Sequence, residues 1–466
     1  MKYKFLGIIA LVTTMLVSCS DKFLEEMKSY DKYDESIFTN ETQTGWYIDR
    51  LYNYYYASYK NPLQSVIASY TDIRSKSTDE MGGNVTDYTN AGKTLQFAAD
   101  GDTYYGTTIT SSVQNNTYSR IRLANFLLEK IDGVGQALPE EFRKTSKGQM
   151  FFLRALQYFD LVRIYGGVPI VTTVQNASLT DETIRFPRAK SSEVFAQIVK
   201  DLDSAAHYLP MIWATPATNY GRLTAAAALA MKSRVLLTAA SPLFNKDWDN
   251  SGNEKWQKAL QAGLDAETAL TNAGYGLYGT NAKAWSEMTF AQNNVTFNKE
   301  AIMISLFNTT STTSAGFNNS WENMARPTDQ KGGGGISAPK GMLDLFPLAD
   351  GSRPNASNYN DTFFFENRDP RFYRTFAFSG AKWGLKSNAN RVSWFYRWRP
   401  SATTATYSGG NQTNSPAVVR KMTNPAADSL TLTYSNTSIF EYRYAELLLN
   451  IAEAYAATGN AAKAVD

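Results

Sequence analysis

Residues 140–171, "EEFRKTSKGQMFFLRALQYFDLVRIYGGVPIV", constrain the fold of this chain more than any other stretch. Phe151, Ala155, Tyr158, Val162 and Tyr165 recur at the spacing of one helical face, and Phe152, Leu156 and Phe159 widen it. Arg154, Gln157, Asp160 and Arg163 occupy the remaining side, which reads as the polar face. So wide an apolar stripe is expected to be buried against more than one neighbour. Gly166 and Gly167 stop the helix, and Pro169 prevents its resumption.

Other segments repeat the pattern. In 191–210, Val194, Ile198, Leu202 and Ala205 run down one face, Ser191 or Ser192 can cap the start, and Pro210 follows the end. Residues 223–242 are alanine-rich, which lets helix axes approach closely, and Pro242 closes them. Shorter helices are expected at 36–56, 118–131 and 256–273. In 443–466, Leu448, Ile451, Ala452, Tyr455 and Ala464 fit the tetratricopeptide pattern, with Gly459 and Asn460 in the turn. The chain stops at Asp466, inside the second helix of that pair, and this reads as a fragment. The expected fold is therefore mainly α, with tetratricopeptide-like helix pairs in a right-handed superhelical scaffold. Long irregular segments and a few short strands complete it.

Those irregular segments are polar: 61–117, 308–337 and 401–439. Loops of this length are usually functional or disordered. The glycines at 332–335 follow Lys331 instead of preceding a Gly-Lys-Ser/Thr, so they suit a hinge or tight turn and no phosphate loop. "WFYRWRP" (394–400) alternates apolar and basic residues like a strand with aromatics on one face.

Composition excludes several functions. A formal net charge of +3 gives no electrostatic case for nucleic acid. With one histidine, His207, and one cysteine, Cys19, neither a metal cluster nor a Ser-His-Asp site is expected. No cofactor or metal is called for, and His207 is assigned the bland role of a helix-end residue.

The cysteine marks the N-terminus. Lys2 and Lys4 precede a 13-residue apolar run (5–17), too short to span a bilayer and suited to a signal-peptide core. Leu16-Val17-Ser18-Cys19 resembles a bacterial lipobox, which implies cleavage before Cys19 and its acylation. Several acyl chains would hold the protein to a membrane, where one alone is marginal. The resulting organisation is a signal peptide at 1–18, a lipidated tether at 19–35, a helical region at 36–300 and a loop-rich region at 301–466. Asp21, Glu25 and Glu26 resemble the export signal of surface lipoproteins in some Gram-negative groups.

Six motifs in order then resemble one family. They are "RALQYFDLVRIYGGVPIV" (154–171), "EVFAQIVKDLDSAAHYLP" (193–210), "GRLTAAAALAMKSRVLLTAASPLF" (221–244), "GMLDLFPLADGSRP" (341–354), "NRDPRFYRTF" (367–376) and "YRYAELLLNIAEAYAATG" (442–459). Together with the lipobox they resemble the SusD/RagB family, the surface nutrient-binding lipoproteins of starch-utilisation-type uptake systems. The resemblance implies four tetratricopeptide-like helix pairs that scaffold irregular loops. It implies a non-enzymatic protein on the outer membrane, facing the exterior. Its helical side would dock on a SusC-like TonB-dependent transporter, and its loops would bind an oligosaccharide or, in some members, a peptide.

Sugars offer C–H faces to aromatic rings and hydroxyls to polar side chains. Trp321, alone in the polar "NNSWENMAR", is a candidate platform, or else a buried anchor for its loop. Tyr104 and Tyr105 in "ADGDTYYGTT" carry the same two readings. Asp79 and Glu80 lie in "KSTDEMGG", whose counterpart often lies near the ligand in the family; a turn carboxylate is the rival role. Asp72, Asp79 and Glu80 could on paper serve a glycoside hydrolase, but nothing sets two of them across a sugar. "NRDPRFYR" suggests a charge network of Arg368, Asp369, Arg371 and Arg374 that fixes a loop.

Overall fold

The long stripe forms one uninterrupted helix, Glu140–Tyr165, ended by Gly166 at φ 68°, whose N–H donates to Val162 O at 3.0 Å. A side chain at such a φ would be strained, which explains the glycine. The computed structural model describes residues 35–56, 117–175, 184–290, 297–307, 318–333, 335–395, 397–398, 406–407 and 416–465.

In chain order the helical part comprises α1 (Glu41–Tyr56), α2 (Thr117–Lys130), α3 (Glu140–Tyr165), α4 (Ser191–Tyr208), α5 (Ala225–Ala240) and α6 (Glu254–Asn272). Each helix from α2 to α6 packs on the one before it, and α1 packs on α3. This neighbour-to-neighbour stacking buries a continuous core that no single hairpin could supply. The core runs from Phe38 through Ile121, Phe152, Val194 and Met231 to Ile451. In α5, Ala226, Ala227, Ala228 and Ala230 are fully buried, consistent with close approach of helix axes. Thr224 caps it, accepting from the Ala227 N–H at 3.0 Å.

The expected polar face of α3 is corrected. Arg154, Gln157 and Asp160 are each about 5% exposed or less; α4 covers Arg154, and Asp160 sits among Arg163, Arg120 of α2 and Glu441. Arg154 donates to both oxygens of Asp201 on α4, at 2.8 and 2.6 Å, and to Asn125 Oδ1 on α2 at 2.7 Å. Burial pushes the Asp201 carboxyl upward from its ordinary pKa, and Arg154 opposes that shift. The α4 cap is also corrected. Lys190 holds the cap position, and its N–H donates to Glu193 Oε2 at 2.6 Å, so neither Ser191 nor Ser192 serves.

The later chain is built from short pieces: α7 (Ala282–Glu287), α8 (Trp321–Ala325), α9 (Lys340–Leu345), α10 (Pro370–Thr375) and α11 (Ser429–Thr433). Its strands are β1 (Ala301–Ser305), β2 (Phe376–Phe378), β3 (Arg397–Trp398), β4 (Thr406–Tyr407), β5 (Ala417–Val419) and β6 (Ile439–Arg443). They pair antiparallel as β1–β6, β2–β5 and β3–β4. The strand expected within 394–400 is thus present as β3. A small cluster around Phe372 and Phe376 and another around Trp383 and Phe395 fill this region.

The pair β1–β6 returns the chain to the helical stack. There α12 (Tyr444–Ala457) packs on α6 and α5, and α13 (Ala461–Val465) packs on α12. The turn between them holds Gly459 at φ 82° beside Asn460, as the repeat pattern predicts. Arg234 on α5 locks the return, donating to Glu441 and Glu446 at 2.6–2.9 Å with its guanidinium 4.3 Å above the Tyr442 ring. Among the described residues, no helix is long and apolar enough to cross a membrane.

Candidate functional site

Cys19, Asp72, Asp79, Glu80, Tyr104 and Tyr105 lie outside the described residues. Trp321 opens α8 and is only 3% exposed. Its indole N–H donates to Lys421 O at 3.0 Å, and its backbone N–H donates to Asn319 Oδ1 at 3.1 Å. The expectation of a sugar platform is corrected here: the ring has no open face and anchors its loop. Its polar neighbours are what bury it. Asn319 bonds Ser435 and Thr437 across the fold instead of facing water.

Behind Trp321, Arg326 is fully buried and ties four segments together. It donates to Glu322 Oε2 at 2.8 Å, Gln330 Oε1 at 3.0 Å, Gly384 O at 3.1 Å and Asn424 O at 2.8 Å. The glycine run is a close-packed turn against this residue. A Cβ on Gly332 would lie 2.0 Å from Arg326 O.

"NRDPRFYR" divides into three roles. Arg368 is 2% exposed and donates to the carbonyls of Leu343, Phe346 and Phe364, so it caps the end of α9. Asp369 caps α10 by accepting from the Arg371 N–H at 2.8 Å, and its carboxylate pairs with the Arg371 side chain. These two bear out a loop-fixing network. Arg374 does not join it: its guanidinium has no hydrogen bond or ion pair among the described residues.

Arg374 instead lines a narrow cleft beside α7, together with Ser286, Phe290, Trp383, Arg420 and Thr423. The cleft is shallow and opens to solvent, spanning about 300 Å³ only when that open space is included. No carboxylate lines it. Burial, then repulsion from Arg374 and Arg326, pushes the Arg420 pKa down to about 10. Among the described residues its guanidinium makes one bond, a long one of 3.5 Å to Tyr373 O. The next residue, Lys421, holds its amine 5.1 Å above the Trp285 ring, and burial with Arg443 pushes that amine down to about 8. Trp383 completes the wall, and its indole N–H is buried without an acceptor among the described residues. The Ser286 and Thr423 hydroxyls already donate to the carbonyls of Lys283 and Arg420. The cleft therefore presents unused donors and positive charge. Sequence reasoning missed Arg420 and Lys421; their one visible signal was "RKM" placed directly after the apolar "AVV" of β5.

A second recess, lined by Ile212, Trp213, Tyr220, Tyr275, Phe297 and Ile304, is aromatic. Its polar atoms are already used: Trp213 Nε1 donates to Leu223 O, Tyr275 OH donates to Met211 O, and Tyr220 OH accepts from Asn298 N–H. It is a packing seam of the helical stack. His207 is exposed, its ring edge-on to Tyr208 at 4.9 Å.

Comparison with known proteins agrees with this architecture. Residues 299–466 match the model of the SusD family, and residues 22–237 match a model described as starch-binding and associating with the outer membrane. A SusD-like protein of Formosa agariphila is 32% identical over 95 residues; the match covers 20% of this chain and 18% of that protein's length. A crystal structure of a SusD-like protein from Bacteroides fragilis superposes with a TM-score of 0.64 at 21% identity, covering 93% of this chain and 78% of the other. A SusD-like carbohydrate-binding protein of the same species gives 0.63 at 18% identity, covering 91% and 75%. At these identities the structural likeness speaks for the fold.

Proposed function

The chain belongs to the SusD/RagB family, and from that premise we propose that it is a lipid-anchored, cell-surface glycan-binding protein without catalytic activity. It captures oligosaccharides at the exterior face of the outer membrane and passes them to a SusC-like TonB-dependent transporter. The observation that carries this reading is the pair of family models. They lie in chain order on both halves of the chain, and one is described by starch binding at the outer membrane. The named carbohydrate-binding neighbour supports the ligand class. In this reading Cys19 carries the acyl chains and the helical stack is the rigid support. Asp79, Glu80, Tyr104 and Tyr105, in the polar sequence segment before α2, remain proposed ligand contacts.

Calorimetry of the full chain against a panel of oligosaccharides, with chromatography of the mixtures, tests this. Saturable binding with unchanged oligosaccharides is expected. Product formation, or no binding across the panel, would overturn it. In cells, the protein is expected in the membrane fraction and its Cys19→Ala variant in the soluble fraction; a membrane-bound variant would refute the anchor.

A further inference from the structure

We propose that the cleft beside α7 is an oxyanion subsite, and that the glycan this protein captures is acidic, bearing a carboxylate or sulfate that docks between Arg374 and Arg420. This deepens the glycan-binding reading and rests on it.

The argument begins with what the cleft lacks. A partly buried guanidinium ordinarily meets a carboxylate or a set of carbonyls, because an unpaired charge away from water is costly. Elsewhere this protein obeys that rule: Arg154 has Asp201, Arg234 has Glu441 and Glu446, Arg326 has Glu322, and Arg443 has Glu300 at 2.6 Å. Arg374 and Arg420 have no ion pair among the described residues, and they repel one another across the same recess. Trp383 lines the same recess, with its indole N–H fully buried.

Two guanidinium groups without an ion pair among the described residues, lining one concavity, form the complement of an oxyanion. A carboxylate or a sulfate presents two or three acceptor oxygens in the geometry that guanidinium groups match. A neutral sugar hydroxyl would bring its own hydrogen into a wall that offers few free acceptors, and it would leave both charges uncompensated. The cleft is narrow, so it takes the charged substituent and leaves most of the ring at the mouth, beside the half-buried Phe290 ring. Lys421, one residue from Arg420, adds positive potential from behind.

The site also explains a local imbalance. Like charges held together weaken the fold, and a ligand anion would relieve that repulsion. Binding and stability should therefore respond in opposite directions when one of the cations is removed. A residue with a merely structural role would lose both.

The test is calorimetry on the full chain with four probes: oligogalacturonates, sulfated galactan oligosaccharides, neutral oligosaccharides of the same length, and inorganic sulfate alone. At least one acidic saccharide class is expected to bind 10-fold or more tighter than its neutral counterpart, and to weaken as sodium chloride rises. The galacturonate and sulfated arms identify which oxyanion is read. Arg374→Gln is expected to reduce acidic-probe affinity about 10-fold, to narrow the preference for acidic over neutral probes, and to leave the melting temperature equal or higher. Arg420→Gln should reproduce the affinity loss. Equal binding of neutral and acidic probes, unaffected by either variant, would overturn the subsite and leave the glycan-binding reading intact. Inorganic sulfate binding as tightly as the acidic saccharides would overturn the saccharide assignment. No saccharide binding at all would overturn both readings.

Discussion

The helical stack and the loop-rich half both bury arginines, but they satisfy them differently. In the stack, Arg154 meets a side-chain carboxylate, Asp201, and a side-chain amide, Asn125. In the loop-rich half, Arg368 meets no carboxylate among the described residues: it donates there to the backbone carbonyls of Leu343, Phe346 and Phe364. Arg326 stands between, with Glu322 on one side and the carbonyls of Gly384 and Asn424 on the other. The difference follows from backbone accounting. A long helix satisfies its own carbonyls, so a buried guanidinium within it must find side chains. Short helices such as α9 leave most of their final carbonyls open, and one arginine can collect several of them. In the irregular half, arginine does the joining that regular hydrogen bonding does in the stack.

The largest expected effect tests that statement directly. Arg368→Met strands three buried carbonyls and is expected to destabilise the protein by about 4–5 kcal/mol, measured by urea denaturation. No second substitution can remove backbone acceptors, so no simple partner change should rescue it. A loss below about 1 kcal/mol would break the comparison, because the carbonyls would then have ready alternatives.

Next comes the matching change in the stack. Arg154→Met leaves Asp201 buried and unpaired, at an expected cost of about 3–4 kcal/mol. Here the partner is a side chain. The double variant Arg154→Met with Asp201→Leu should recover most of that loss, since apolar replacement of a buried pair is often nearly neutral. A double variant no more stable than the single would show that Asn125 and Gln197, which also bond this pair, carry the stabilisation.

The same contrast explains what the sequence made legible. The helices were readable because their period is local: 191–210 and 256–273 were expected, and Ser191–Tyr208 and Glu254–Asn272 form. Burial of Arg154 and Asp160 was not, because it depends on α4 for the first and on α2 and β6 for the second, all meeting a face that looks polar in isolation. Trp321 left two readings open for a related reason: Asn319 beside it bonds Ser435 and Thr437 across the chain, so a polar context does not by itself mean exposure. The cleft draws Ser286, Arg374, Trp383 and Arg420 from four separate segments, and no spacing links them. Where secondary structure is long, sequence period is informative; where side chains stitch carbonyls together, the information is tertiary.

The smallest expected effect concerns Lys421, whose Nζ has no carboxylate among the described residues and rests on the Trp285 ring with Arg443 nearby. Burial and Arg443 hold its amine at about 8, below the ordinary 10.5. The unfolded chain thus keeps the proton up to about pH 10.5, while the folded protein releases it near pH 8. Between those values the unfolded state binds more protons, so this group adds stability as pH rises and weakens the fold below pH 8. Lys421→Met should therefore raise stability by about 1–2 kcal/mol at pH 7. The advantage should shrink by about 1 kcal/mol at pH 9, where the folded amine is already neutral. Denaturation curves at the two pH values decide it. A variant that is less stable at pH 7 would mean that the amine's contact with Trp285 outweighs its desolvation. The loop-rich half would then tolerate unpaired cations without any anion to complete them.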